Sequence, residues 1–185
     1  MTTMQASPDV QTMTPPGAES GDDDADKRTA IGDVSQIVSF RLANEEYGVD
    51  IMRVQEIILV GQITCMPEVP DYICGLINLR GHVIPIVDLR RRFRLPVAEN
   101  DEHTRIIVVN VKNQTIGIVV DAVNEVLRVN PDQGEPPPAS VAGIDHDYIR
   151  ALIKFDEKLL ILLNIEHVLS TQDQANLSDI GDSAN

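Results

Sequence analysis

Tryptophan is absent from this 185-residue chain, and phenylalanine and tyrosine together supply only 3% of it. Rings therefore cannot fill an interior of this size. A core must come from Ile, Val and Leu, and the β-branched members of that set favour strands. Cysteine is nearly as scarce. Cys65 and Cys74 are too few for a disulfide framework and wrongly spaced for a zinc site. Long apolar runs are missing too: Ile116 to Val120, interrupted only by Gly117, has the length of a strand and not of a membrane span. The Met1 region has no apolar signal core, so a cytoplasmic protein without direct membrane insertion is expected.

Positive charge is also short. The formal net charge is -14, and residues 36 to 169 alone carry nineteen acids against thirteen bases. A nucleic-acid partner would be repelled on average, so none is expected. Catalytic motifs are lacking as well: there is no GxSxG, Walker loop or GxGxxG. His82, His103, His146 and His167 stand singly, without a second His or Cys at metal-ligand spacing. No catalytic residue, metal or cofactor is therefore assigned. Arg90, Arg91, Arg92 and Arg94 follow one another on a short helix, point in different directions, and read as a solvated face.

What the chain does contain is organised around Leu76 to Leu89, LINLRGHVIPIVDL. Leu76 and Ile77 end one strand, Gly81 permits a tight reversal, and Val83, Ile84, Ile86 and Val87 open the next. Arg80 then lies at a turn. Pro85 cannot donate to a ladder and marks an edge, a bulge or a barrel corner. Asp88 is placed to accept from the amides of Arg90 and Arg91 and to cap a short helix.

Residues 1 to 34 are rich in Thr, Pro, Gly, Ser and Asp and read as a disordered acidic tail, with order beginning near Gln36. Residues 171 to 185 read as a polar tail. Between them IVSFRL and YGVDI form a hairpin, MRVQEIILV a helical turn and a strand, and QITCMP a brief strand. The pattern then repeats. A shift of 69 carries Phe40 to Val109, Gly48 to Gly117, Val54 to Val123 and Glu56 to Glu125, and a shift of 76 carries Tyr72 to Tyr148, Leu76 to Leu152 and Asp88 to Asn164. Short strands without long helices bury themselves by curling. Two small barrels are predicted, with a boundary near residues 95–104 and with strand exchange between the halves left open. Arg80 and Gly81 have no counterpart in the second copy, where KFDEK replaces NLRGH, so the barrel itself does not demand them. Both copies keep an acid at Glu56 and Glu125.

EEYGVDIMRVQEI, GLINLRGHVIPIVDLRRRF, IGIVVDAV and ILLNIEHVL, in that order, resemble the chemotaxis coupling protein family, CheW. The resemblance spans about residues 36 to 170 and implies an all-β fold with short helices, two SH3-like five-stranded barrel subdomains packed together. It implies a non-catalytic adaptor bridging transmembrane chemoreceptors to the histidine kinase CheA, whose regulatory domain has the same fold, and recruited to receptor arrays. Val54, Glu56, Arg80 and Gly81 match positions associated with coupling, and Gly75 and Gly117 match glycines of the same groove region. A receptor tip is expected to lie between the barrels with Glu56 and Arg80 at the rim. One departure is PPPAS, where Ala139 and Ser140 stand in place of the aromatic that some members carry. An adaptor of another chemosensory or surface-motility pathway, and a small-ligand protein with its site between the barrels, are the other readings.

Overall fold

The computed structural model describes residues 31–34, 36–138, 146–169 and 173. Most of residues 1 to 34, Ala139, Ser140 and most of the C-terminal tail lie outside them.

Among the described residues, eleven strands form two sheets. The first repeat supplies β1 (Gln36–Leu42), β2 (Glu45–Asp50), β3 (Val54–Leu59), β4 (Ile73–Leu79), β5 (His82–Asp88) and the single-turn helix α1 (Leu89–Arg92). The second supplies β6 (Arg105–Val111), β7 (Gln114–Val120), β8 (Ala122–Arg128), the two-residue β9 (Gly134–Glu135), β10 (Ile149–Phe155) and β11 (Lys158–Leu163). The shifts read from the sequence carry β1 onto β6, β2 onto the start of β7, and β4 onto β10. They hold down to single hydrogen bonds: Asp88 N donates to Tyr72 O at 2.8 Å, and its counterpart Asn164 N donates to Tyr148 O at 2.7 Å.

The sheets do not divide where the repeats do. One sheet has the order β3-β6-β7-β5-β4 and the other β8-β1-β2-β11-β10-β9, so each repeat lends its first hairpin to the other's sheet. Residues 95–104 separate the copies along the chain but not in space. One sheet has five strands, and the other has five long strands plus β9.

Alternation along the exchanged hairpins explains the packing. Ile106 and Val108 of β6 join Ile84, Ile86 and Val119 inside one curled sheet. Ile37 joins Leu127, Ala151, Ile153, Leu160 and Leu162 inside the other. The intervening residues, Val38, Phe40 and Leu42 from one side and Ile107, Val109 and Val111 from the other, meet in the largest cluster between the sheets. There Phe40, Tyr47, Phe93 and Tyr148 stack in sequence with centroids 5.5 to 6.1 Å apart. The few rings of the chain are concentrated at this seam.

Four local expectations need correction. Ile31 and Val34 are buried against the second sheet, so packing begins before Gln36; two isolated apolar side chains in a polar stretch left no periodic trace. Asp173, in the segment read as a tail, is buried and accepts from the Tyr72 hydroxyl. QITCMP is not a strand but one bridge, Thr64 to Leu76. The arginines of α1 are only in part a solvated face: Arg91 is exposed, but Arg90 and Arg92 are held. Arg90 chelates Asp121 through Nε at 2.7 Å and Nη2 at 2.5 Å, which raises its pKa. Arg92 lies between the Tyr72 and Tyr148 rings, 4.6 and 4.7 Å from their centroids.

The central hairpin forms as read. Asp88 caps α1, accepting from Arg90 N at 2.8 Å and Arg91 N at 3.3 Å. Pro85 opposes Leu76, whose amide and carbonyl both bond to Thr64 on the far side of β4. The Pro85 nitrogen therefore faces away from β4, and pairing of β5 with β7 begins only at Ile86. No ladder bond is lost.

Candidate functional site at the end of the first barrel

Arg80 and Gly81 make the two-residue turn between β4 and β5, and both have positive φ, 53° and 88°. A turn of this hand matches the twist of its strands. Asn78 Oδ1 accepts from Gly81 N at 2.8 Å and braces it. Arg80 is thus held at an exposed tip. Its Nη2 lies 3.0 Å from Oε2 of Glu56 on the edge strand β3, with the arginine side chain 77% exposed and the glutamate 24%. These two sequence-selected residues are brought together across 24 positions of chain.

An open cavity of about 350 Å3 lies beside the pair, lined by Gln55, Leu79, His82, Val83, Ile84 and Thr115 as well. Gln55 Nε2 donates to Thr115 Oγ1 at 3.3 Å. The lining residues come from β3, β4, β5, β7 and the β4–β5 turn, all of one sheet, so the Glu56–Arg80 pair marks the end of the first barrel. β3, β4 and β5 all come from the first repeat and stay together in one sheet; the exchange replaces only the hairpin between them, with β6 and β7.

Edge strand β3 carries more than Glu56. A bulge between Val54 and Glu56 turns Val54 toward the central core, while Ile58 faces the first barrel's interior. Ile57 and Leu59 point outward, 42% and 68% exposed, and Met52 just before the strand is 84% exposed. The sequence reading passed over these three. Alternation separates the two faces of a strand, but only the sheet order shows that β3 has an open edge.

The glycines fall elsewhere. Gly81 sits in the turn with nothing within 4 Å of a would-be Cβ. Gly117 is inside the first barrel, where a Cβ would lie 2.5 Å from Ile86 Cδ1 and 2.7 Å from Ile106 Cγ2. Its repeat partner Gly48 is equally tight, 2.3 Å from Ile37 Cγ2. Gly75 has φ 141°, and a Cβ there would lie 2.1 Å from Thr64 O. Gly117 therefore packs within the first barrel, and Gly75 packs against the Thr64 backbone.

A model of the CheW-like domain matches residues 36–173, taking in both repeats, the exchanged hairpins and the buried Asp173. The chain belongs to the CheW-like family. It is 39% identical to the chemotaxis protein CheW of Klebsiella aerogenes over 148 residues, covering 80% of this chain and 89% of that one. It is 34% identical to CheW of Treponema pallidum, covering 78% and 88%. The crystal structure of scaffolding protein TtCheW from Thermoanaerobacter tengcongensis superposes with a TM-score of 0.71 at 38% identity, covering 75% of this chain and 90% of that one. The two-subdomain CheW fold is thus shared with a solved scaffold, and the family match ends at Asp173, three residues beyond the end expected from sequence. Among the described residues no helix is long and apolar enough to cross a membrane.

Proposed function

We propose that this chain is a non-catalytic cytoplasmic adaptor that couples transmembrane chemoreceptors to the histidine kinase CheA within signalling arrays. The observation that carries this reading is the Glu56–Arg80 pair, held at the exposed end of the first barrel in a CheW-family fold. An exposed ion pair contributes at most about 1 kcal/mol to stability. The scaffold does not require it, because the second repeat puts Asp156 where the first has Arg80. A pair that does little for the fold and sits beside outward-facing Ile57 and Leu59 suits recognition: apolar side chains provide contact, the charges set orientation, and the edge of β3 offers main-chain groups.

In this reading Val54, Glu56, Arg80 and Gly81 serve the coupling surface, Gly81 by allowing the turn that presents Arg80. Gly75 and Gly117 act only through the packing beneath it. The kinase's related regulatory domain and the receptor tips are the partners, and several modest contacts in a lattice supply the avidity that one lacks.

The test is reconstitution with receptors and CheA. Arg80→Glu and Glu56→Lys should each lower receptor-dependent kinase activation about tenfold, a coupling loss of roughly 1.4 kcal/mol. Urea midpoints should stay close to wild type. Undiminished activation by both variants would overturn the assignment.

A further inference from the structure

Cys65 and Cys74 lie nine positions apart in sequence but line one cavity of about 500 Å3, together with Ile63, Asp88, Arg91 and Val119. Two features hold the segments that carry them in contact. Thr64, next to Cys65, exchanges hydrogen bonds with Leu76 in both directions, at 2.8 and 2.9 Å. Cys65 directly follows this isolated bridge, and Cys74 lies two residues before its other end. Gly75 itself touches Thr64 backbone, since a Cβ there would lie 2.1 Å from Thr64 O.

Cys74 is also freed from its strand partner. Ile73 pairs with Val87 and Gly75 with Ile86, so Cys74 is the extra residue of a β-bulge with nothing opposite it on β5. The two thiols differ in access: Cys65 is exposed and Cys74 is half-buried. Burial, then the Asp88 carboxylate, pushes the Cys74 thiol up; Arg91 opposes that rise, and Cys65 is close enough to add to it. A metal is not the natural occupant, because among the described residues no group of three His, Cys, Asp or Glu is arranged to hold one.

We propose that Cys65 and Cys74 are a redox-modification site, joined reversibly into a disulfide when a peroxide oxidises Cys65. The Cys65 thiolate attacks one peroxide oxygen, the O–O bond breaks, and a Cys65 sulfenic acid forms while the departing hydroxide is protonated to water. The Cys74 thiolate then attacks the Cys65 sulfur, the S–O bond breaks, and a second water leaves. Two thiols and one peroxide give one disulfide and two waters, with sulfur oxidised and oxygen reduced. Accessible cysteines with a resolving partner nearby are where such chemistry runs in cytosolic proteins. The link would close residues 65–74 into a ring that ties the connection after β3, which carries Glu56, to the start of β4, which leads to Arg80. Oxidation would therefore stiffen that connection. The assignment is independent of the adaptor reading.

The full reduced chain is treated with hydrogen peroxide, alkylated with iodoacetamide and weighed intact. The expected product is a monomer lighter by two hydrogens, with neither cysteine alkylated, both restored by dithiothreitol, and slower amide exchange over residues 60–76. In Cys74→Ser, Cys65 should be trapped as a sulfenic acid that reacts with dimedone; in Cys65→Ser, Cys74 should remain alkylatable. Peroxide-treated wild type that keeps both thiols alkylatable, gains oxygen without losing hydrogen, or links only between two chains would overturn the proposal.

Discussion

The β4–β5 turn of the first barrel and the β10–β11 turn of the second have the same backbone and opposite chemistry. Arg80 and Gly81 have φ of 53° and 88°, while Asp156 and Glu157, in the equivalent places, have 43° and 66°. One turn presents a cation to Glu56; the other presents two acids. Duplication thus separates what the scaffold needs, a reversal of one particular hand, from what it leaves free, the side chains at the tip. The glycines divide by the same criterion. Gly48 and Gly117 face the same crowding in their two barrels and belong to the shared scaffold. Gly75, by contrast, corresponds to Ala151, and both follow a bulge in their strands.

That last contrast carries the largest expected effect. In the second barrel Ala151 has ordinary backbone geometry, so an alanine fits the bulge as such. In the first, Thr64 O has moved against Gly75 and φ has turned to 141°. Gly75→Ala should therefore cost about 3–5 kcal/mol, because backbone strain adds to a clash that no side-chain rotation relieves. Gly48→Ala and Gly117→Ala meet only side-chain ends and should cost about 1–3 kcal/mol each, similar in the two barrels. Urea midpoints measure all three. A much cheaper Gly117→Ala that nonetheless lost kinase coupling would break the equivalence and return Gly117 to the binding surface.

The repeat was legible because strand-by-strand subtraction needs only side-chain type at fixed offsets. The exchange of hairpins was not. β1 and β6 are similar enough that either could line either sheet, and the pattern of apolar residues is the same in both arrangements. Similarly, LRRRF reads as a solvated helix when its partners, Asp121 and the rings of Tyr72 and Tyr148, come from three other parts of the chain. Local sequence gave the Asp88 cap correctly because both of its amides lie within three residues. Glu56 and Arg80 were selected by family resemblance, Arg80 also by its absence from the second repeat, and neither argument contains their 3.0 Å contact.

A middle-sized effect separates the hairpins at the seam. Tyr47 of β2 corresponds to Ile116 of β7, so one repeat brings a titratable ring to the central core and the other does not. Burial, aided by the Glu45 charge, pushes the Tyr47 phenol up to about 12. Below pH 10 the phenol is protonated in both folded and unfolded chains, and its burial contributes fully. Between pH 10 and about 12 only the unfolded chain loses the proton, so stability falls by up to about 1.4 kcal/mol per pH unit from this group. Tyr47→Phe should flatten that part of the alkaline stability curve relative to wild type. Superimposable curves for the two proteins would show that the ring ionises equally easily in the fold.

The smallest effect bears on the turns themselves. A non-glycine residue in the left-handed region costs roughly 1–2 kcal/mol, and glycine avoids this cost while losing about 0.4–1 kcal/mol through the freer unfolded chain. Glu157→Gly, which gives the second turn the residue at Gly81, should thus stabilise by about 0.5–1 kcal/mol, and Gly81→Glu should destabilise by about as much. Neither substitution removes the Glu56–Arg80 contact, so equal and opposite shifts in the urea midpoint would establish that the two tips are interchangeable as backbone and distinct only in charge. If Glu157→Gly instead destabilised, the acidic tip would be making contacts that the fold depends on, and the second turn, not the first, would be the one whose side chains the scaffold demands.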